Sequence, residues 1–380
     1  MEAVVVAGVG VTEFGRFPGR SPASLAQEAA RAALRDAGIT PRDVGAAFCG
    51  SVFSGPGAGQ RVLKDLGLVG LPVVNLENAC ASSSTAVFEG LAWLGAGLAE
   101  VVLCVGVESL TANPDRLGPD DGDIIGTMGV VWPAVYGLKA RRHMAEYGST
   151  PEQFAEVAVK NRRHAALNPK AQFKKLITAE EVLASRPICE PLTLLQCCPP
   201  SDGASAVVLM TEERARSLDS NGRPVVRIAG SAIRSGVFAD QSETGEVVTT
   251  LTSRLAYERA GVGPDDVDVC EVHDAFTVGE VLHYEALGFC EPGGGGRYVE
   301  TGKATLGGGG VVVNPGGGLL SRGHPLGATG GAQLVEIATQ LRGEAGRRQV
   351  DGARVGLTHT MGGTVYELES NVCVVHVLTA

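Results

Sequence analysis

The sequence predicts an α/β fold made of two duplicated halves, with five layers in the order helix, sheet, helix, sheet and helix. One observation behind this prediction is an internal repeat, in which the segment around Asp36 recurs 223 positions later around Arg259. A second is that each copy contains a helix of small, mostly uncharged residues, which suits a helix with neighbours on all sides. The third is the composition, since 53 glycines, 44% apolar residues and only 19% charged residues over 380 positions exclude disorder.

The repeat consists of a helix end and the short strand that follows it. Residues 34–44 in the first copy match residues 257–267 in the second. Both copies place a glycine at the helix end and a proline three residues later, and an apolar run follows. We therefore predict an N-terminal half at 1–223 and a C-terminal half at 224–380.

Each half then continues into its helix of small residues and a further strand. The first such helix is expected over 80–98 and the second over 323–341. After the first of them, residues of about 110–200 have no counterpart in the second half, and the first half then closes with a strand expected over 204–210. We interpret 110–200 as an insertion of the first half that covers the active site, with a solvated surface decoration as the alternative.

Charge and hydropathy exclude several function classes. A net charge of −10 argues against nucleic acid as a partner, because phosphates require a basic surface. No apolar run approaches the roughly 20 residues of a membrane span. The nine cysteines are scattered without the spacing of a disulfide or zinc framework. We therefore expect a cytoplasmic protein without a leader, a bound metal or a permanently bound cofactor.

A cysteine and a histidine occupy equivalent places at the starts of the two small-residue helices. Cys80 lies in the run Asn-Ala-Cys-Ala-Ser, and His324 lies in the run Gly-His-Pro. The positive end of a helix favours a thiolate, and an imidazole nearby can take the proton of the thiol. Together the two residues form the activated nucleophile that acyl transfer through a thioester requires. For Cys80 considered alone, a small buried cysteine without a catalytic role is the alternative.

Two further segments follow or end predicted strands, where the sites of α/β folds gather. His273 begins the run His-Asp-Ala-Phe and could donate a hydrogen bond to a thioester oxygen, although a structural histidine would fit the position as well. His359 begins the run His-Thr-Met-Gly-Gly, in which backbone N–H groups near Gly362 are free to form an oxyanion hole. The candidate catalytic residues are therefore Cys80, His324, His273, Gly362 and His359.

These four motifs resemble those of the thiolases over essentially the whole chain, and the string Gly-His-Pro-Leu-Gly-Ala-Thr-Gly is the most specific of them. The most similar branch is the one with His-Asp-x-Phe, which contains sterol-carrier-protein-x and archaeal acetyl-CoA acetyltransferases. The resemblance implies the thiolase fold and a ping-pong acyl transfer, in which an acyl-CoA acylates Cys80 while His324 takes the proton of the thiol. It also implies two oxyanion holes, one from the N–H groups of Cys80 and Gly362 and one from His324 with His273. The reaction would be CoA-dependent thiolysis of a 3-oxoacyl-CoA or the reverse condensation.

Two positions depart from the thiolase pattern. Many thiolases carry a second cysteine in a terminal Cys-x-Gly motif, where this chain has Thr360, and some relatives carry it in His-Asp-Cys-Phe, where this chain has Ala275. No second catalytic cysteine is therefore visible in the sequence. Either His324, His359 or His273 would then move the proton at the α-carbon of the substrate, or the reaction is not an ordinary thiolase reaction.

Two other functions on the same fold stay open. One is a retro-aldolase that cleaves a carbon–carbon bond in a steroid-type side-chain CoA ester, for which Tyr298 and Tyr366 are the candidate residues. The other is a thiolase-like subunit without catalytic activity. The resemblance also implies a homodimer with continuous sheets. It further implies a small partner protein, with an OB fold and a zinc ribbon, that helps to bind acyl-CoA.

The sequence does not identify the acyl group. We expect the residues that line its pocket within 110–200 and around Phe238, Phe276 and Phe289. Three basic residues of the insertion are candidates for binding the CoA phosphates: Arg162, Arg163 and Lys174.

Overall fold

The computed structural model describes residues 3–111, 127–218, 223–238, 246–363 and 370–380. Ten strands of the described ranges form one sheet, and two short ones form a separate ladder. In chain order the strands are β1 (Val4–Val11), β2 (Ala46–Gly50), β3 (Val73–Leu76), β4 (Val101–Ser109), β5 (Pro187–Cys189), β6 (Leu192–Thr193), β7 (Asp202–Thr211), β8 (Arg227–Ser235), β9 (Val269–Glu271), β10 (Val312–Val313), β11 (Val355–Gly362) and β12 (Val372–Thr379).

The large sheet consists of two matching groups of five strands. Its order is β10-β9-β11-β12-β8-β1-β7-β4-β2-β3, so the two groups meet where β8 lies beside β1. Val5 is paired with Arg227 at this junction. In one group β2 runs parallel to both β3 and β4, and in the other β9 runs parallel to both β10 and β11. The strand order of each group is therefore the mirror of the other along the sheet, as a duplicated chain predicts.

The helices of the described residues range from single turns to four turns. In chain order they are α1 (Pro22–Asp36), α2 (Ala58–Leu63), α3 (Ser82–Gly95), α4 (Trp132–Tyr147), α5 (Pro151–Ala165), α6 (Ala179–Leu183), α7 (Glu212–Arg216), α8 (Val247–Ala260), α9 (Thr277–Ala286), α10 (Gly295–Glu300) and α11 (Thr329–Leu341). Among these described helices, none combines the length and the hydropathy that crossing a bilayer requires.

Helices α3 and α11 form a layer between the two groups of strands. They contact each other, and each contacts strands of both groups, whereas α1 packs on β1 and β7 and α8 packs on β8 and β12. Every residue of α11 except Thr339 is buried. Glycine allows this packing, because a Cβ at Gly330 would lie 2.6 Å from the Cβ of Ser84 and a Cβ at Gly331 would lie 2.3 Å from the Oγ of Ser205. The predicted order of five layers is what the structure contains.

Both helices of small residues are shorter than the sequence predicts. Helix α3 begins at Ser82 rather than at Cys80, and its last turn is partly exposed. Helix α11 begins at Thr329, five positions after His324. The physical reason lies in the backbone, since Gly323 has φ +116° and Pro325 has no N–H to donate. Cys80 and His324 therefore lie in the loops that lead into the helices and not in their first turns.

The part of the insertion that the structure describes packs on the second half. Helix α5 contacts the turn Gly318–Arg322 and the helices α9 and α10, and α4 also contacts α9. Residues 112–126 of the predicted insertion lie outside the described residues. The boundary between the halves at 223 and 224 stays a prediction.

Candidate active site

Three of the five predicted site residues come together where the loops of both halves meet. The sulfur of Cys80 and one ring nitrogen each of His273 and His324 all lie within 4.8 Å of one another. The two imidazole rings are nearly perpendicular, with centroids 5.2 Å apart. Cys80 comes from the first half and both histidines come from the second. The duplicated fold thus brings a thiol and two imidazoles within reach of one small substrate group.

Cys80 follows a strained residue in the turn before α3. Ala79 has φ +47°, in the left-handed region that residues with a Cβ rarely adopt. Hydrogen bonds hold this turn, since the Ser82 hydroxyl donates to the Ala79 carbonyl at 2.6 Å and accepts from the Asn78 N–H at 3.0 Å. The amide of Asn78 also donates to the Thr85 hydroxyl at 3.1 Å. Cys80, at the end of this turn, keeps part of its surface exposed.

His324 is fixed through its backbone and through one ring nitrogen. Its N–H donates to the Ser201 hydroxyl at 2.9 Å, and its Nδ1 lies 2.8 Å from the Thr329 hydroxyl. That hydroxyl donates its single proton to the Pro325 carbonyl at 3.1 Å, so it accepts from Nδ1. Nδ1 of His324 therefore carries the proton, and Nε2 is the basic atom.

His273 lies two residues after the end of β9 and is only 4% exposed. Its backbone N–H donates to Nδ1 of His359 at 3.4 Å. The next residue, Asp274, accepts from the backbone N–H of Leu319 at 2.7 Å and from the amide of Asn161 at 2.8 Å. These bonds link the His-Asp-Ala-Phe loop to the loop before His324. Nδ1 of His273 is buried and has no hydrogen-bond partner among the described residues.

His359 is not gathered with the other three residues. Its Nε2 lies 3.1 Å from the Thr249 hydroxyl, and its ring packs against that of His283, with centroids 4.3 Å apart. Its other ring nitrogen accepts from the backbone of His273, as described above. The ring therefore acts as a buried support behind His273 in this structure. Its role as a proton carrier stays a prediction that the geometry does not favour.

The glycine pair after His359 lies against the Cys80 turn. A Cβ at Gly362 would lie 2.1 Å from the Asn78 carbonyl oxygen, so only glycine allows this approach. The backbone N–H of Gly363 forms a hydrogen bond to the sulfur of Cys80. The sequence predicts the N–H of Gly362 as a donor in an oxyanion hole. The N–H that reaches the Cys80 sulfur in the structure belongs to the next residue, Gly363. The participation of Gly362 in an oxyanion hole stays a prediction.

Burial determines the charge state of the resting site. It raises the pKa of Cys80 to about 12, although the N–H of Gly363 opposes the rise. Burial also lowers the pKa of His273 to about 3 and, together with the neighbouring His273 and Arg322, lowers the pKa of His324 well below its usual range. The expectation that a helix end favours the thiolate is wrong for the resting site, because loss of water outweighs the two N–H groups at the sulfur. The site at rest holds a neutral thiol between neutral imidazoles.

Tyr136 of α4 is a residue near the site that the sequence reasoning missed. Its ring stacks on Phe276, with centroids 4.5 Å apart. Burial raises its pKa, and negative charge on Glu246, Cys80 or Cys198 raises it further, so its hydroxyl lies within electrostatic reach of two thiols. The insertion carries no motif that could have indicated this contact.

Other residues expected near the substrate are placed elsewhere or stay untested. Tyr298 accepts from the backbone N–H of Val311 at 2.9 Å and packs on Tyr284, outside the Cys80 group, and Tyr366 lies outside the described residues. Phe238 is 79% exposed, and its place beside the substrate stays a prediction.

Among the basic candidates for the CoA phosphates, the Arg162 guanidinium lies over the ring of Phe173 at 4.6 Å. Lys174 is paired with Glu13 at 3.3 Å. The binding of phosphates by these two residues and by Arg163 stays a prediction.

Two family models match the chain. The model described as "Thiolase, N-terminal domain" matches residues 4–213, and the one described as "Thiolase C-terminal domain-like" matches residues 230–375. Benzoylsuccinyl-CoA thiolase subunit BbsB of Thauera aromatica is 42% identical, with 95% of this chain and 94% of the relative covered. Acetyl-CoA acetyltransferase of Methanothermobacter thermautotrophicus is 40% identical, with 96% and 97% covered. Sterol carrier protein 2 of Oryctolagus cuniculus is 41% identical, with 94% and 70% covered.

Two solved structures have the same fold as this chain over its whole length. A structure named "Ltp2-ChsH2(DUF35) aldolase" superimposes with a TM-score of 0.85 and 31% identity, over 100% of this chain and 98% of the other. Human mitochondrial 3-ketoacyl-CoA thiolase superimposes with a TM-score of 0.74 over 100% and 99% of the two chains. At 20% identity the second match supports the fold alone.

Proposed function

This chain belongs to the thiolase family, and we propose that it cleaves or forms a 3-oxoacyl-CoA by acyl transfer through a thioester on Cys80. The observation that carries this proposal is the meeting of the Cys80 sulfur with ring nitrogens of His273 and His324 within 4.8 Å. A thiol beside an oriented base is the arrangement that covalent acyl transfer requires. Coenzyme A and its thioesters are the substrates, and we keep the prediction that no cofactor is permanently bound.

His324 is the proposed base for the first step. Its Nε2 is unprotonated because Nδ1 donates to Thr329 at 2.8 Å. The proton of the Cys80 thiol moves to Nε2 as the sulfur attacks the C3 carbonyl of the 3-oxoacyl-CoA. Since both groups are neutral at rest, charge separates only when the substrate is in place to receive the electrons of the sulfur.

The proposed oxyanion holes stabilise the negative charge that develops on two thioester or ketone oxygens. The N–H groups at Gly363 and Cys80, which point at the sulfur in the resting site, are placed to donate to an oxygen on the attacked carbon. His273 and His324 are placed to donate to the oxygen of the acetyl-CoA enolate that leaves. His273 is held for this by the bond from its backbone to His359 at 3.4 Å.

The proposal is tested by acylation of the protein with radiolabelled acetyl-CoA. Wild-type protein and Cys290→Ser, a control at a cysteine away from the site, should retain one label each, whereas Cys80→Ser should retain none. Intact-mass measurement then places the label on the peptide that contains residue 80. Absence of label on the wild-type protein, or equal labelling of Cys80→Ser, would refute the thioester mechanism.

A carbon–carbon lyase is the second candidate function, because a solved structure named as an aldolase is 31% identical and is covered over 98% of its own chain. Lyase chemistry of this kind needs an acid–base residue but no acyl-cysteine. Tyr136 supports the alternative, since its hydroxyl lies within electrostatic reach of Cys80. A 3-hydroxyacyl-CoA with a branched side chain distinguishes the two functions. Cleavage that survives in Cys80→Ser and disappears in Tyr136→Phe supports the lyase, and the opposite pattern with a 3-oxoacyl-CoA supports the thiolase.

We also propose two partners for this chain. Strand β3 is one of the two edges of the large sheet, and an edge with no further strand beside it among the described residues supports pairing with a second copy of the chain. Sedimentation equilibrium at several concentrations tests the dimer, and a monomer at all of them would refute it. The solved aldolase is named with two components, Ltp2 and ChsH2(DUF35), and this pairing supports a small acyl-CoA-binding partner. Full thiolase activity of the isolated chain would refute a strict need for one.

We also propose that the protein works in the cytoplasm, as the sequence predicts. The two-half division at 223 and 224 is likewise retained as a proposal, and limited proteolysis within 214–230 would support it.

A further inference from the structure

A thiolase reaction needs a residue that protonates the α-carbon of the substrate. This chain has no cysteine at either of the two positions where relatives carry one, which are occupied here by Thr360 and Ala275. Thr360 is fully buried and donates its hydroxyl proton to Gln333 at 2.5 Å, so that proton is already in use. Ala275 has no group that ionises. Cleavage of a 3-oxoacyl-CoA nevertheless leaves a carbanion-like enolate that must take up a proton at carbon. A group elsewhere in the site must therefore supply it.

Cys198 lies directly opposite Ala275 in a short extended pairing. Its N–H donates to the Ala275 carbonyl at 2.9 Å, and Cys197 forms an antiparallel bridge with Phe276. In this register residue 198 faces residue 275, and opposite residues of an antiparallel pair have Cβ atoms about 4.5–5.5 Å apart. The Cys198 thiol therefore occupies the space beside the side chain of residue 275.

The two adjacent cysteines point to opposite sides of this extended segment. Cys197 has φ −115° and ψ +140°, and successive side chains of such a backbone alternate. Its sulfur donates to the Thr193 carbonyl at 3.4 Å, away from the site. After burial, the charge that acts most on Cys198 is that of Cys80, whereas Cys197 responds to Cys189. Cys198 is thus on the side of the nucleophile.

The same conclusion follows from Tyr136. Negative charge on Cys80 or on Cys198 raises its pKa, so both thiols lie within electrostatic reach of the same tyrosine hydroxyl. Both cysteines also keep part of their surface exposed, whereas His273 and His324 are buried. A substrate that enters beside Cys80 would therefore meet Cys198 as well.

We propose that Cys198 is the second acid–base residue of the reaction, which exchanges a proton with the α-carbon of the acyl group. The inference rests on the proposed thiolase function. It gives the reaction a proton donor that neither Ala275 of the His-Asp-Ala-Phe loop nor Thr360 of β11 supplies.

We infer that thiolysis proceeds in two steps, cleavage of the substrate and transfer of the acyl group to CoA. Attack by the Cys80 sulfur on C3 breaks the bond between C2 and C3, and C2 takes the proton of the Cys198 thiol, which leaves acetyl-CoA, acyl-Cys80, a Cys198 thiolate and a His324 imidazolium. The Cys198 thiolate then takes a proton from the His324 imidazolium, and coenzyme A enters and gives its thiol proton to the neutral His324 ring. Its sulfur attacks the acyl carbon, and the Cys80 sulfur leaves and recovers its proton from His324. The sum is one 3-oxoacyl-CoA and one CoA converted to two acyl-CoA molecules.

The burial of Cys198 suits this role. Burial raises its pKa well above the ordinary value, and the nearby charge of Cys80 adds to the rise, so Cys198 is a thiol when the substrate binds. A thiol is the form that donates to carbon. Its thiolate is then basic enough to take a proton back from the His324 imidazolium, since the pKa of His324 lies well below its ordinary value.

The test separates carbon–carbon cleavage from acylation. Cys198→Ala should cleave acetoacetyl-CoA at least about 100-fold more slowly than wild type, the effect expected for loss of a general acid. Acylation of Cys80 by acetyl-CoA should be nearly unchanged, because His324 takes the proton of the Cys80 thiol and gives it to the departing CoA sulfur, without Cys198. Cys197→Ala is the matched control and should retain both activities. Cleavage by Cys198→Ala at the wild-type rate would overturn the proposal while leaving the thioester mechanism intact.

A second variant keeps the test decisive if Cys198→Ala is unstable. The double variant Cys198→Ala with Ala275→Cys moves the thiol across the pairing into the same space, and it should recover cleavage by about 10-fold or more over Cys198→Ala. A double variant that acylates Cys80 normally but recovers no cleavage would contradict the proposed position of the proton donor. Loss of Cys80 acylation in the wild-type protein would instead refute the thiolase function itself.

Discussion

The two halves of the molecule hold their site residues in different ways at equivalent points of the repeat. Cys80 lies on a turn whose hydrogen bonds come from its own neighbours, Asn78 and Ser82, and it keeps part of its surface exposed. His324 is 5% exposed, and its backbone is held by Ser201 from the other half. The difference fits the chemistry, because a nucleophile must admit a substrate whereas a base must keep one orientation.

The loops of the second half are also braced by buried charges. Lys160 of α5 lies 2.7 Å from Glu280, and both side chains are nearly inaccessible to water. Asn161 donates to Asp274 at 2.8 Å and to Glu280 at 2.7 Å, which ties the insertion to the His-Asp-Ala-Phe loop. The Cys80 turn has no comparable network among the described residues. The comparison therefore predicts that the second half depends on distant contacts and the first half on local ones.

Removal of the base should have the largest effect. His324→Ala deletes the ring whose Nε2 is free to accept the proton of Cys80, so acylation by acetyl-CoA should slow by about 1,000-fold, within the range known for general bases. Rapid-quench measurement of the acyl-enzyme gives the rate, and an unchanged unfolding midpoint shows that the fold persists. Acylation at more than about a tenth of the wild-type rate would contradict the assignment of the base.

Loss of the buried ion pair between Lys160 and Glu280 should reduce the free energy of unfolding more than loss of any single contact at the Cys80 turn. Lys160→Met leaves Glu280 buried without its cation, which typically costs about 3–5 kcal/mol of unfolding free energy. Chemical denaturation measures the change. Lys64→Met is the control, because Lys64 is paired with Asp65 on the surface, and it should have no measurable effect. Equal unfolding free energies of the two variants would contradict a stabilising role for the ion pair between Lys160 and Glu280.

Loss of the hydroxyl that orients His324 should have an intermediate effect. Thr329→Val keeps the shape of the side chain but removes the acceptor of Nδ1, so kcat should fall by about 10- to 100-fold, as for other partners that orient a functional histidine. Thr339→Val on the same helix is the control, since its hydroxyl donates to the Val335 carbonyl at 2.6 Å, away from the site. If both variants behave alike in steady-state kinetics, the orientation argument is wrong.

The smallest expected effect is on the reactivity of the Cys80 thiol in the absence of substrate. Because burial raises the pKa of Cys80 to about 12, little thiolate exists at neutral pH, and iodoacetamide should modify Cys80 at pH 8 about 10-fold more slowly than it modifies free CoA. The rate should rise continuously from pH 7 to pH 10, since the thiol ionises only above that range. Peptide mapping by mass spectrometry provides the rate. A plateau below pH 8 would indicate a thiolate at rest.

The sequence predicts the elements that repeat and the residues that lie in motifs. The 223-residue offset around Asp36 and Arg259 indicates the duplicated fold, and the Cys80 and His324 motifs indicate a shared site. It does not predict Tyr136 or Cys198 as neighbours of that site, because their positions depend on how the insertion and an extended pairing fold onto the second half. It also misjudges the charge of Cys80, since burial is a property of the assembled structure. His359 is an example of a motif residue whose ring supports its neighbour instead of joining the reactive group.

The most direct test of the account is a crystal structure of the protein trapped with an acyl-CoA. The account predicts continuous density between the acyl carbon and the sulfur of Cys80, with Nε2 of His324 within hydrogen-bond distance of that sulfur or of the acyl oxygen. An acyl group bound to another residue, or a His324 ring turned away from an acylated Cys80, would contradict the proposed mechanism.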